Sequence, residues 1–366
     1  MTPVQYRKFA TKFLGATLAL TSLIAWAAND NQQIIEKARQ EAASGKFLIM
    51  VSSPKSPNEH RALMDAFQNR FDIKVDWEWL PLTSGVSGSR VVEQSKSNVP
   101  LPSAIGGFPY NFYQQWIVDN GLDQKVDWVG DFSTMFPAIQ AVAHDGVVSD
   151  YRERLLRQWD VKYVLVYNTR QVKPEELPRN ITELTDPKWA GRFAMSNVDA
   201  SPLDALAVQY GTDEIAELTK KLVANKPRYK AGPPAVVGAV VSGEVAIGLS
   251  GYTALAEVMK EKGAPIDWVT PDVMPVIPLF DFMLKGAPQP NLGKLFLAWL
   301  ATEGAAVQEE HAKLSSLSNP DSPTTRAIFE MKPDVQIVEV KTIEEIDITQ
   351  QASREIMNIV SGATGN

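Results

Sequence analysis

Apolar and polar positions along this chain repeat with two periods, one helical and one extended. Ile34, Ile35, Ala38 and Ala42 share one face of a helix over residues 34 to 43. Gly45 closes it, and Phe47-Leu48-Ile49-Met50-Val51 is an unbroken apolar run of the kind a strand covered on both faces requires. A helix start follows, with Ser56 as N-cap, Pro57 at the first helical position and Glu59 completing a capping box. That helix turns Leu63, Met64, Ala66 and Phe67 inward. Ile73 to Leu80 alternates, with Ile73, Val75, Trp77 and Trp79 on one side, and predicts a second strand. Thr83 to Ser89 predicts a flexible polar loop leading into a helix near Arg90 to Glu93.

The same alternation continues downstream. Tyr163 to Tyr167 and Arg192 to Met195 predict strands, ending in Asn168-Thr169 and in Ser196 to Ala200. Ser201-Pro202-Leu203-Asp204 has the form of another helix start. Pro233-Pro234 opens a helix through Val241, and Val245 to Leu249 predicts a strand broken by Ser250-Gly251 before a helix over residues 253 to 260. Leu279 to Leu284 is apolar, and a helix runs from about Asn291 to Thr302. Strand, helix and strand at this spacing predict an α/β fold with a largely parallel sheet. In such sheets the strand carboxyl ends and the helix N-termini face a crevice. Ser52, Ser53, Ser196, Asn197 and Ser201 are therefore expected along one cleft.

The first residues carry a different pattern. Arg7, Lys8 and Lys12 precede an apolar stretch from Phe13 to Trp26, which closes on Ala25-Trp26-Ala27. A positive segment, a short apolar segment and a small-x-small site predict a secretory signal over residues 1–27, cleaved near Ala27/Ala28. The stretch falls short of the roughly 20 residues that span a bilayer, and no later apolar run reaches that length. Export to the periplasm is the expectation.

Composition narrows the chemistry. The 366 residues carry a formal net charge of −7, and loss of the signal would remove three more positive charges. Nucleic acid, held mainly by positive charge against phosphate, is not an expected partner. With no cysteine, disulfides, thiolate metal sites and cysteine nucleophiles are excluded, and the 3 histidines show no metal-ligand spacing. No Gly-x-Ser-x-Gly elbow supports a hydrolase, so the chain is not expected to be an enzyme or to hold a cofactor.

Several segments resemble the family 1 extracellular solute-binding proteins of ABC importers, in particular their ferric-ion-binding branch. The most specific is Leu184 to Ala194, L-T-D-P-K-W-A-G-R-F-A. Ile35 to Ser53, Val164 to Thr169, Val240 to Leu249 and Lys285 to Leu300 are similar to the branch's opening, hinge strand, cleft strand and return segment. The resemblance implies a two-lobed, type II periplasmic-binding-protein fold with two crossover strands as hinge. Lobe one would hold residues 46–162 and 276–366, and lobe two residues 163–275. It also implies a monomer that closes on a small molecule and delivers it to an inner-membrane ABC permease, or presents it to a sensing receptor.

The candidate ligand contacts are Ser52, Ser53, Ser84, Arg90, Gly107, Tyr110, Tyr167, Asn168, Ser196, Asn197, Ser201, Ser250 and Tyr252. Each also has a structural reading. Ser201 can be a helix cap, Gly107 a tight turn, Tyr110 core packing, and Arg90 the partner of Glu93 or Glu78. In the ferric branch iron is bound mostly by tyrosinate oxygens, commonly from an adjacent Tyr-Tyr pair. The matching segment here reads Leu249-Ser250-Gly251-Tyr252 and has one tyrosine. The serine-, asparagine- and glycine-rich loops instead suggest a small polar, anionic organic solute. Ferric ion, with Tyr252 as a ligand, stands as the alternative.

Overall fold

The computed structural model describes residues 31–97 and 99–365. The expected signal segment lies outside the described residues. No helix among them is long and apolar enough to cross a membrane.

Two sheets, each with its own core, organise the chain. The strands are β1 (Phe47–Val51), β2 (Trp77–Trp79), β3 (Ala104–Phe108), β4 (Leu155–Lys162), β5 (Leu165–Asn168), β6 (Phe193–Ser196), β7 (Arg228–Lys230), β8 (Ile247–Gly248), β9 (Ile266–Val269), β10 (Val273–Phe282) and β11 (Gln336–Val338). The first sheet has the order β11-β10-β3-β1-β2, with β4 also paired to β10; the second has the order β7-β6-β8-β5-β9. β1, β2 and β3 run parallel, as do β6, β7 and β8. β4 and β10 pair antiparallel from Leu155↔Phe282 to Val276↔Lys162 and carry the chain between the sheets.

Burial explains why these segments form. β1 is buried along almost its whole length, and Phe47 packs edge-on against Phe296 at 5.5 Å. The Pro57–Phe71 helix starts where expected: the Ser56 N–H donates to Glu59 Oε2 at 2.9 Å, and Leu63, Met64 and Phe67 enter the first core. Leu203, Leu206, Ile215 and Leu222 join Phe193 and Ile247 in the second.

Three expectations are corrected. Residues 84 to 89 are not a loop: the Ser84–Lys96 helix includes them. Glycine is a poor helix former, but a Cβ at Gly88 would lie 2.4 Å from the Trp116 ring, so tertiary packing selects glycine inside this helix. The second capped helix begins at Leu203, so Pro202 and not Ser201 occupies the N-cap position. Finally, the C-terminal segment does not return wholly to lobe one. Ala352, Ile356 and Val360 of the Ile343–Thr364 helix belong to the second core, and Ile328 packs beside Val164 and Val166. The Pro290–Ala301 helix does pack in the first core.

Candidate functional site

β4 is where the loops of the two lobes meet. Gln158 Nε2 donates to the Ser53 carbonyl at 3.4 Å, on the loop that follows β1. The next residue, Trp159, sets its ring 6.4 Å from that of Tyr252, on the loop that follows β8. Neighbouring residues of one crossover strand thus touch the strand ends of both lobes.

In lobe one the structure brings Ser52, Ser84 and Gly107 together. Both serine hydroxyls donate to the Gly107 carbonyl, at 3.1 Å from Ser52 and 2.8 Å from Ser84. Gly107 has φ +74, and a Cβ there would lie 2.0 Å from Ser52 Oγ, so both its backbone angle and its neighbour require glycine. Beneath it Asp281 is fully buried; its Oδ1 accepts the Gly107 N–H at 3.2 Å, and its Oδ2 has no partner. Burial pushes this carboxyl well above the usual range. The loop after β1 is braced by His60, whose ring stacks on Trp79 at 4.6 Å and lies 2.8 Å from the Pro54 carbonyl.

In lobe two, β6 and β8 run parallel and deliver Ser196, Asn197, Ser250 and Tyr252 at the same end of the sheet. Tyr252 forms a bridge with Tyr163, and their rings are 6.4 Å apart. Burial, and then the charges of Asp199 and Asp204, raise the Tyr163 phenol. Ser201 lies between two carboxylates: its N–H donates to Asp199 Oδ1 at 2.7 Å, and its hydroxyl reaches Asp204 Oδ2 at 3.5 Å. Tyr163 is buried, whereas Tyr252, Ser201, Asp199 and Asp204 keep partial exposure. Asp199 and Asp204 have no ion-pair partner among the described residues; burial raises both carboxyls, and with the Asp199 charge beside it Asp204 is pushed up to about 7. Burial and Asp199 raise Tyr252 as well.

Other expected contacts lie elsewhere or are already engaged. β5 runs antiparallel to β8, with Tyr167 opposite Ile247, so Tyr167 and Asn168 sit at the opposite end of the second sheet from Tyr252. Asn168 donates to the Val240 carbonyl at 2.7 Å and accepts from the Arg170 N–H at 2.9 Å. Tyr110 is a core residue: its hydroxyl donates to the Gly146 carbonyl at 2.8 Å and accepts from the Val148 N–H at 2.9 Å. Arg90 is exposed and lies about 9 Å along its helix from the N-terminus that faces Gly107. Ser196 accepts from the Val198 N–H at 3.2 Å and closes a local turn.

Sequence reasoning missed Asp199, Asp204, Tyr163 and Trp159. One signal was present. From Phe193 to Thr219 the chain has no Lys or Arg, although Asp199 and Asp204 fall within it.

The bacterial extracellular solute-binding protein family has a model that matches residues 111–322, more than half of the chain. The chain belongs to this family. No curated protein matches the sequence of this solute-binding protein. Among solved structures, iron-bound HitA from Pseudomonas aeruginosa is similar at 16% identity and TM-score 0.62, covering 87% of this chain and 99% of that one. Trichodesmium IdiA (FutA), in complex with iron and citrate, gives 17% and 0.65, covering 87% and 99%. A periplasmic thiamin binding protein gives 16% and 0.67, covering 86% and 96%. At these identities the likeness establishes the fold: the solute-binding protein has the two-lobed type II periplasmic-binding-protein architecture. Its family consists of binding proteins, not enzymes.

Proposed function

We propose that this solute-binding protein is the periplasmic receptor of an ABC importer, and that it closes its lobes around a small polar organic solute as a monomer. One observation carries the reading. Asn197 Oδ1, Ser250 Oγ, Thr253 Oγ1, Gln158 Oε1 and Trp159 Nε1 are buried without hydrogen-bond partners, and they lie just after β6, just after β8 and on β4. Buried polar atoms in native proteins are nearly always paired, and a polar solute bound there would supply the partners. Binding would then select the closed arrangement from an open–closed equilibrium.

The hydrogen-bonding side chains support an organic solute. They do not support the negative charge expected from them, because Asp199, in the loop after β6, and Asp204, in the first turn of the helix that follows, have no basic partner among the described residues. Ferric ion is the second reading, favoured by Tyr163 beside Tyr252, which supplies the second phenol that the sequence segment lacked. Native mass spectrometry of protein purified without unfolding tests the receptor reading through the mass of any co-purified solute. Small-angle scattering with that solute should show a smaller radius of gyration, and an unchanged profile at saturation counts against closure. A visible tyrosinate-to-iron band with ferric citrate, lost in Tyr252→Phe, would establish iron instead.

A further inference from the structure

We propose that the solute carries a positively charged nitrogen, held in lobe two by Asp199 and Asp204 beside the ring of Tyr252. This rests on the receptor reading above and assigns the charge of what the receptor takes.

Two half-buried carboxylates share one serine, and no Lys, Arg or His pairs with either among the described residues. A carboxylate out of water without a counter-charge is costly, and proteins normally pair such groups. Here the second carboxylate worsens the first. A cation arriving between them would relieve both penalties at once.

The aromatic residues are a separate observation. Tyr252 sets its ring 6.4 Å from that of Tyr163 and 6.4 Å from that of Trp159, which is itself packed with Leu279 and Leu314. Ring faces attract organic cations, and Tyr252 keeps partial exposure. The Trp159 indole N–H is buried and unpartnered, as are the Ser250 and Thr253 hydroxyls on either side of Tyr252. These hydroxyls and the indole give the remainder of the solute hydrogen-bonding groups to meet.

A metal ion would use the set differently. No group of 3 or more His, Cys, Asp or Glu side chains able to hold one occurs among the described residues. The Tyr163 phenol is held well above its ordinary pKa by burial and by the neighbouring acids.

The test is calorimetry and thermal shift at pH 8 with choline, putrescine, 3,3-dimethylbutan-1-ol (the neutral isostere of choline), citrate and ferric citrate. The expected result is that choline or putrescine stabilises the protein, while the isostere and citrate bind at least tenfold more weakly. Asp199→Asn and Asp204→Asn should each weaken that cation at least tenfold without lowering the melting temperature of the free protein, since neither removes an ion pair. Asp334→Asn, on the exposed surface, should leave it unchanged. Affinity should also fall from pH 8 to pH 6 as Asp204, pushed up to about 7, takes up a proton. Stabilisation by citrate alone, cation binding indifferent to both asparagine variants, or an iron charge-transfer band would each overturn the charge assignment and leave the receptor standing. No response to either cation would also overturn the charge assignment, while the receptor reading is decided separately by the mass of the co-purified solute and by closure on it.

Discussion

Replacing Asp281 by asparagine should remove a pH dependence built into lobe one. Asp281 lies on β10 opposite Gly106 of β3, and a Cβ on Gly106 would come within 1.7 Å of its Oδ1. The carboxyl is fully buried, its Oδ2 is unpartnered, and no cation offsets it. It therefore stays protonated in the fold at pH values where the unfolded chain ionises it, above its ordinary 3.8. The folded state then holds one more proton than the unfolded state. Its contribution to stability is fully present below the unfolded pKa and is lost as pH rises toward the folded one. The loss is about 1.4 kcal/mol for each pH unit between the unfolded pKa and the folded one. Asparagine keeps the Oδ1 acceptor for the Gly107 N–H, is nearly isosteric, and does not titrate. Urea unfolding of both proteins at pH 5, 6, 7 and 8 measures the difference. Asp281→Asn should gain on the parent steadily as pH rises, and because other titrating groups are common to both proteins they cancel. Two stability curves that run parallel from pH 5 to pH 8 would refute the reasoning, since Asp281 would then have to be ionised within the fold.

The remaining expectations concern the hinge, the lobe-one loop and export. Arg157 is buried on β4 and pairs with Asp160 at 2.7 Å and with Glu339 at 3.0 Å, so Arg157→Met should cost about 3–5 kcal/mol by stranding two acids. A loss below about 1 kcal/mol on denaturant titration would show that water reaches them. Gly107→Ala forces a side chain into positive φ and onto Ser52, and should lower stability by about 1–3 kcal/mol; an unchanged melting temperature would mean the loop relaxes freely. N-terminal sequencing of periplasmic protein should begin near Ala28, and full-length chain retained in the membrane would refute the signal reading.

Local pattern determined much of this protein. The unbroken apolar run of β1, the Ser56-Pro57-Asn58-Glu59 helix start and the strand-to-helix spacing depend on neighbours within a few residues, so the sequence alone made the α/β class legible. The small polar residues after β1, β6 and β8 read as strand ends for the same reason. What periodicity cannot state is the direction of a strand. β5 enters the second sheet antiparallel to β8, which sends Tyr167 and Asn168 away from the cleft and leaves Tyr163, at the start of the same segment, against Tyr252. Nor does an amphipathic stripe name its partner: the C-terminal helix could cover either lobe, and only packing against Leu203, Leu206 and Leu222 assigns it to the second. The glycines of the Ser84–Lys96 helix look like a loop until Trp116 is packed against Gly88. Asp199 and Asp204 were visible as an acidic stretch without lysine or arginine. Their significance comes from pairing that tertiary structure withholds, because a carboxylate's cost is set by which charges the fold brings near it.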